Sequence, residues 1–256
     1  MEGYDHYIWV NPVGNDLKEW TETSDSFICD LDEIGQKYNC DKSNTQYMSR
    51  ENKNVPYNWP EGFRLKIPGH NYFEIYSKYF SPVRYEKINL LEIGMGNYPS
   101  NGNSMRMWLE FFPNANITIL DNNPNNFNFD FDFDRSRIET HLVDQSSGSD
   151  LNELVSKLGE EKFDFIIDDG SHQAAHQILS LNILFPSILK NNGVYFIEDI
   201  HDIEFTKYLP DLYSNLNNGE VSSTYRLEDQ TKDMGISSIE MQRSLICIRK
   251  GKKITR

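Results

Sequence analysis

The chain has 256 residues, 39 of them acidic and 25 basic, for a formal net charge of −14 at pH 7. This balance excludes the phosphate-backbone electrostatics on which sequence-independent nucleic-acid binding rests, and it disfavours an anionic membrane surface. The length suffices for a full core, built as one domain with an appendage or as two small ones.

In chain order, Met1 to Val10 carry Glu2 and Asp5 and lack the basic-then-apolar layout of a signal peptide. No apolar run is long enough to span a bilayer. Cys29, Cys40 and Cys247 lack C-x-x-C spacing, and isolated thiols of this kind read as small apolar packing residues in a reduced, cytoplasmic setting. Up to residue 69 the chain is polar and aromatic, with breakers around Trp59 and Pro68 and a short helical candidate from Phe27 to Tyr38. We read 1–69 as a small helical or irregular auxiliary region and 70–256 as the main domain.

From residue 70 apolar strand-like runs alternate with helical segments, the pattern of an α/β doubly wound sheet. Strands are expected at Ile88–Ile93, Ile117–Leu120, Ile138–Leu142, Phe163–Ile167 and Val194–Ile197, with helices at Ser104–Phe112, Leu151–Leu158 and Ala174–Leu189. Ile236–Met241 and Leu245–Ile248 are strand-like too, and the short link between them permits only an antiparallel hairpin. The Asn- and Phe-rich stretch Asn122–Asp134 reads as a loop.

Several strand ends carry chemistry. The first reads Leu90-Leu91-Glu92-Ile93-Gly94-Met95-Gly96, and its glycines either let a nucleotide-like ligand approach the backbone or make a tight turn. No third glycine follows at the dinucleotide spacing, which counts against a nicotinamide cofactor; Ser104 is a candidate N-cap for the next helix. Asp121, after the second strand, is placed to accept from ribose hydroxyls or to serve as a turn aspartate. Asp144 and Gln145, after the third, could face an adenine ring or cap a loop. Two further strands end in Asp168-Asp169-Gly170-Ser171-His172 and in Glu198-Asp199, so two neighbouring crevice positions offer carboxylates and an imidazole. His172 and His176 have a spacing that can grip zinc, but His-Gln-Ala-Ala-His lacks the glutamate of a zinc protease motif.

In register, Leu-Glu-Ile-Gly-Met-Gly, Asn103-Ser-Met-Arg-Met-Trp108, Phe-Phe-Pro at 111–113, Asp-Asp-Gly-Ser-His, Leu-Phe-Pro at 184–186 and Tyr195-Phe-Ile-Glu-Asp199 resemble the S-adenosylmethionine-dependent sugar O-methyltransferases. Within that family they look most like the metal-dependent enzymes that methylate macrolide-linked deoxysugars. The resemblance runs from about Lys37 to Asp199 and implies a class I methyltransferase fold, a Rossmann-like, mostly parallel sheet closed by a C-terminal antiparallel hairpin. It implies S-adenosylmethionine at Glu92, Gly94, Gly96, Ser104, Asp121, Asp144, Gln145 and Asp168. It also implies Mg²⁺, or another divalent cation, on Asp169, Glu198 and Asp199, with His172 as general base. The implied acceptor is a small-molecule sugar or nucleotide sugar in capsule, lipopolysaccharide or glycosylated natural-product synthesis. No nucleic acid or membrane insertion is implied, and a homo-oligomer is expected. His201 is a candidate supporting residue or substrate contact. Two other classes fit the same architecture: another nucleotide-cofactor enzyme such as a nucleotide-sugar dehydrogenase, and a non-catalytic binding protein.

Overall fold

The computed structural model describes residues 30–49, 64–96, 102–128, 133–210, 212 and 234–251. Cys29, the breakers about Trp59 and residues 97–101 of the loop before Ser104 lie outside them. The chain divides into two compact units.

The first unit comprises the described residues up to Arg84 together with Arg106–Phe111. It holds helix α1 (Asp30–Lys37), the antiparallel strands β1 (Thr45–Ser49) and β2 (Arg64–Pro68), and helix α2 (Phe73–Phe80). An aromatic knot fills it. The rings of Tyr76 and Phe80 stack at 4.9 Å, and Phe80 meets Trp108 edge-on at 5.3 Å. Such pairs add roughly 0.5–1.5 kcal/mol each beyond their buried area. The strand pair departs from the expectation of a helical or irregular region over 1–69. β1 and β2 are five residues each, too short for periodicity to speak, and residues 50–63 separate them.

The second unit is a 7-stranded sheet in the order β5-β4-β3-β6-β7-β9-β8. Its strands are β3 (Asn89–Ile93), β4 (Asn116–Asp121), β5 (Ile138–Leu142), β6 (Phe163–Asp168), β7 (Leu189–Ile197), β8 (Ile236–Gln242) and β9 (Leu245–Lys250). β5, β4, β3, β6 and β7 pair in parallel, and the β8–β9 hairpin adds antiparallel to β7. This is the class I methyltransferase sheet. Helices α3 (Asn103–Phe111), α4 (Gly148–Leu158) and α5 (Ala174–Ser187) follow β3, β5 and β6. Leu91, Ile166, Leu181, Phe185, Tyr195 and Ile248 belong to one buried cluster.

β7 begins five residues before the expected Val194. Its register jumps between Phe163↔Leu189 and Phe165↔Val194, so residues between Leu189 and Val194 bulge out of the ladder. Asn192, at φ +66, takes the left-handed turn that a bulge of this kind needs. The ammonium of buried Lys250 donates to the Pro186 carbonyl at 3.0 Å and the Leu189 carbonyl at 2.6 Å, closing the end of α5. Among the described residues, no helix is long and apolar enough to cross a membrane.

The chain order reverses between β3 and β6, which neighbour each other while their crossovers run to opposite sides. In open α/β sheets the crevice outside the carboxyl ends of such strands receives the ligand.

Candidate active site at the strand ends

At the end of β3 the chain turns through Gly94, whose φ is +94. A Cβ here would run into the carbonyl oxygen of Asp169, so the glycine is required by the loop after β6. The turn is tied down on both sides. Gly94 N–H donates to the Leu120 carbonyl at 2.8 Å, and Asp169 N–H donates to the Ile93 carbonyl at 3.0 Å. Gly96, also at positive φ, is exposed.

Asp121 closes β4 and is buried. Its Oδ2 accepts from Met95 N–H in the glycine turn at 3.0 Å, and its Oδ1 accepts from Asn123 N–H at 2.8 Å and Asn126 Nδ2 at 3.1 Å. Glu92 is fully buried within β3, and its Oε2 accepts from the Ser104 hydroxyl at 3.0 Å. Ser104 therefore lies inside the first turn of α3 rather than at the N-cap, because the helix starts one residue earlier.

Of the pair after β5, Asp144 is exposed, and its Oδ1 accepts from the Ser146 amide and hydroxyl, which hold the carboxyl below its usual value. Gln145 turns inward. Its Nε2 donates to Asp168 Oδ1 at 2.7 Å and to Ser180 Oγ at 3.0 Å, and its Oε1 accepts from Ser171 N–H at 3.0 Å. Asp168 is completely buried, and its Oδ2 accepts from the Tyr195 hydroxyl at 3.3 Å. Burial pushes its carboxyl up to about 6.

Beyond Asp168 the strand ends converge. One ligand atom from each of Asp169, His172 and Asp199 lies within 4.8 Å of the other two. His172 Nε2 stands 3.2 Å from Asp169 Oδ1 and 3.7 Å from Asp199 Oδ2, and His201 Nε2 stands 3.6 Å from Asp199 Oδ1. Two carboxylates and an imidazole at this spacing suit a divalent cation. The buried Glu198 is not in the group; its main chain is held by N–H donation to the Asp168 carbonyl and by Gln177 Nε2. His176 is not in it either. Its Nδ1 pairs with the Ser171 hydroxyl at 2.8 Å, and α5 starts only at Ala174, so the two histidines do not share a helical face.

Sequence reasoning missed Tyr195 and Ser180, the partners of the buried Asp168–Gln145 pair. Each is a polar residue inside an apolar run, Val-Tyr-Phe-Ile and Leu-Ser-Leu, and that interruption was the available signal.

No family model matches the chain. A Streptomyces olivaceus 8-demethyl-8-(2-methoxy-alpha-L-rhamnosyl)-tetracenomycin-C 3'-O-methyltransferase is 33% identical over 144 residues, which are 55% of this chain and 34% of that protein. The mycinamicin VI 2''-O-methyltransferase of Micromonospora griseorubida is 34% identical over 152 residues, 58% of this chain and 35% of that one. The homologues are thus sugar O-methyltransferases, and the chain spans about a third of the length of these curated relatives. Among solved structures, the MycE methyltransferase from the mycinamycin biosynthetic pathway in complex with Mg and SAH superposes with a TM-score of 0.63 at 25% identity, covering 88% of this chain and 55% of that one. The same protein with Mg, SAH and mycinamycin VI gives 0.62 at 25% identity, covering 94% of this chain and 63% of that one.

Proposed function

We propose that this protein transfers a methyl group from S-adenosylmethionine to a hydroxyl of a sugar carried on a natural-product glycoside. Asp169 and Asp199 hold a divalent cation, and His172 is the proton acceptor. The observation that carries this reading is the convergence of Asp169, His172 and Asp199 from two neighbouring strand ends, against the glycine turn at Gly94. Of the settings expected from the sequence, only glycosylated natural products have a counterpart in the relatives' names.

The chemistry follows from the residues. A sugar hydroxyl holds its proton too tightly to be a good nucleophile at neutral pH. A bound cation such as Mg²⁺ would polarise the hydroxyl and orient the acceptor. Asp169 and Asp199 supply the hard oxygen donors for it, and the resemblance adds Glu198 from the same strand end as Asp199. A neutral His172 imidazole accepts the hydroxyl proton while the oxygen bonds to the methyl carbon and the carbon–sulfur bond breaks. The products are a methyl ether and S-adenosylhomocysteine, with the proton left on His172. Holding both substrates in attack geometry supplies much of the acceleration.

For the cofactor, Asp121 is the strongest candidate contact. A carboxylate has about four acceptor sites, and the Asp121 bonds above leave room on Oδ2 for a ribose hydroxyl. Glu92, Gly94, Gly96, Ser104 and Asp144 are proposed to complete that side.

The test is direct. The protein with S-adenosylmethionine and Mg²⁺ is offered rhamnosylated and other deoxysugar glycosides, and methyl gain is read by mass spectrometry. Methyl transfer that stops on chelation is the expected result. Binding of NAD in place of S-adenosylmethionine would point to the dehydrogenase class instead.

A further inference from the structure

The side chain of Gln145 joins three separate segments of the second unit. Its amide touches Asp168 at the end of β6, Ser171 in the loop that carries His172, and Ser180 in the second turn of α5. The orientation of the amide is fixed by its partners. Ser171 presents a backbone N–H, which only Oε1 can accept. The Ser180 hydroxyl spends its proton on the His176 carbonyl at 2.7 Å, so it can only accept from Gln145. Nε2 therefore faces Asp168 and Ser180 and has no hydrogen left to offer.

We infer that Gln145 is a positioning residue of the reaction centre, acting on Asp169 and His172 through the Ser171 amide, and is not a contact for the cofactor's base. The inference rests on the methyl-transfer reading above. Ser171 lies between the cation ligand Asp169 and the base His172, so clamping its N–H fixes the chain on both sides. The clamp matters because His172 holds a φ of +57. A residue other than glycine stays in that region only where its surroundings over-determine it. Gly170 belongs to the same device. A Cβ there would occupy the place of Gln145 Oε1, so the loop has no side chain where the amide must enter.

The test compares the native protein with Gln145→Leu, which has similar bulk and no hydrogen bonds. Calorimetry with S-adenosylhomocysteine, Mn²⁺ binding followed by electron paramagnetic resonance, and steady-state kinetics are measured on the full chain. Gln145→Leu should bind S-adenosylhomocysteine as the native protein does. Its Mn²⁺ affinity and kcat should each fall by about 10–100-fold, the scale seen when a partner that orients a ligand is removed, while KM for S-adenosylmethionine stays unchanged. Weakened nucleoside binding with native Mn²⁺ affinity would overturn the inference and return Gln145 to the adenine pocket. A native protein that binds neither Mn²⁺ nor S-adenosylhomocysteine would instead overturn the methyl-transfer reading on which it rests. Should Gln145→Leu not fold, Ser180→Ala removes one of the three joints and should give the same division at smaller size; equal losses of nucleoside and metal binding there would count against the positioning role.

Discussion

His172 and Asp199 share a left-handed backbone, at φ +57 and +52, and their side chains meet with 3.7 Å between Nε2 and Oδ2. Asp199 lies two residues past the end of β7 and His172 four residues past the end of β6. The turn brings them together. Single non-glycine residues held in sparsely populated backbone regions cost on the order of 1–3 kcal/mol each and gather at functional sites.

That strain can be measured. His172→Gly and His172→Ala both delete the imidazole, but only glycine adopts positive φ freely. His172→Gly should therefore be the more stable of the two, by about 1 kcal/mol. Urea denaturation of both variants checks this, and equal midpoints would show that the loop relaxes without the side chain.

Removing the proposed base should show in turnover. His172→Ala should lower kcat by about a hundredfold or more, the ordinary scale of general-base catalysis, while S-adenosylhomocysteine still binds. His176→Ala and His201→Ala should cost less, since the first pairs with the Ser171 hydroxyl and the second stands outside the cation group. A larger loss at His176 would mean that the wrong imidazole has been named.

Chelation addresses the proposed cation. Exhaustive treatment with EDTA should abolish methyl transfer and leave cofactor binding intact, and Mg²⁺ should restore it. Asp169→Asn should behave like the chelated protein, because an amide lacks the charge that holds a hard ion. Full turnover without divalent metal would leave the two aspartates as orienters of His172.

The buried Asp168 makes stability depend on pH. Its carboxyl is raised from 3.8 to about 6 in the folded protein by burial, with hydrogen bonds from Gln145 and Tyr195 opposing the shift. Between these values the unfolded chain has released the proton and the folded one still holds it. Stability should fall as pH rises through that window, by on the order of 3 kcal/mol in all, and stay lower above it. Asp168→Asn should lack this component. Denaturation midpoints at several pH values, taken as the difference between the two proteins, read it out.

Asp121→Ala is expected to act twice. It removes a proposed ribose contact, a loss of about 1.5–3 kcal/mol for a charge-assisted hydrogen bond, and it frees the Met95 and Asn123 amides that the carboxylate now holds. Calorimetry with S-adenosylhomocysteine and a melting curve on the same sample separate the two. Native affinity in the folded variant would remove Asp121 from the site.

The parallel strands β3, β4, β6 and β7 were legible because they are largely buried on both faces and read as short apolar runs, as Phe163 to Ile167 does. The meeting of Asp169 and Asp199 followed from the same runs, since both acids stand just past neighbouring strand ends. β7 read late because Asn191-Asn192-Gly193 looks like a turn, and it is one, set inside the strand as a bulge. The inward face of Gln145 could not be read at all. Local sequence does not say which way a loop side chain points; Ser180 and Tyr195, far along the chain, decide it. The β1–β2 pair was hidden for the same kind of reason, as its two halves stabilise each other only across an intervening segment.

The β8–β9 hairpin has one more effect. Without it β7 would be the border of the sheet, and Val194, Tyr195, Phe196 and Ile197, all now buried, would present a row of open amides and carbonyls flanked by aromatic and branched side chains. A border of that kind recruits strands from other molecules and seeds aggregates. β8 is a safer rim, with exposed Ser237 and Ser238 and a register irregularity near its start. A fragment ending before Ile236 should accordingly collect in inclusion bodies even though the strand ends that carry Asp169 and Asp199 would be intact.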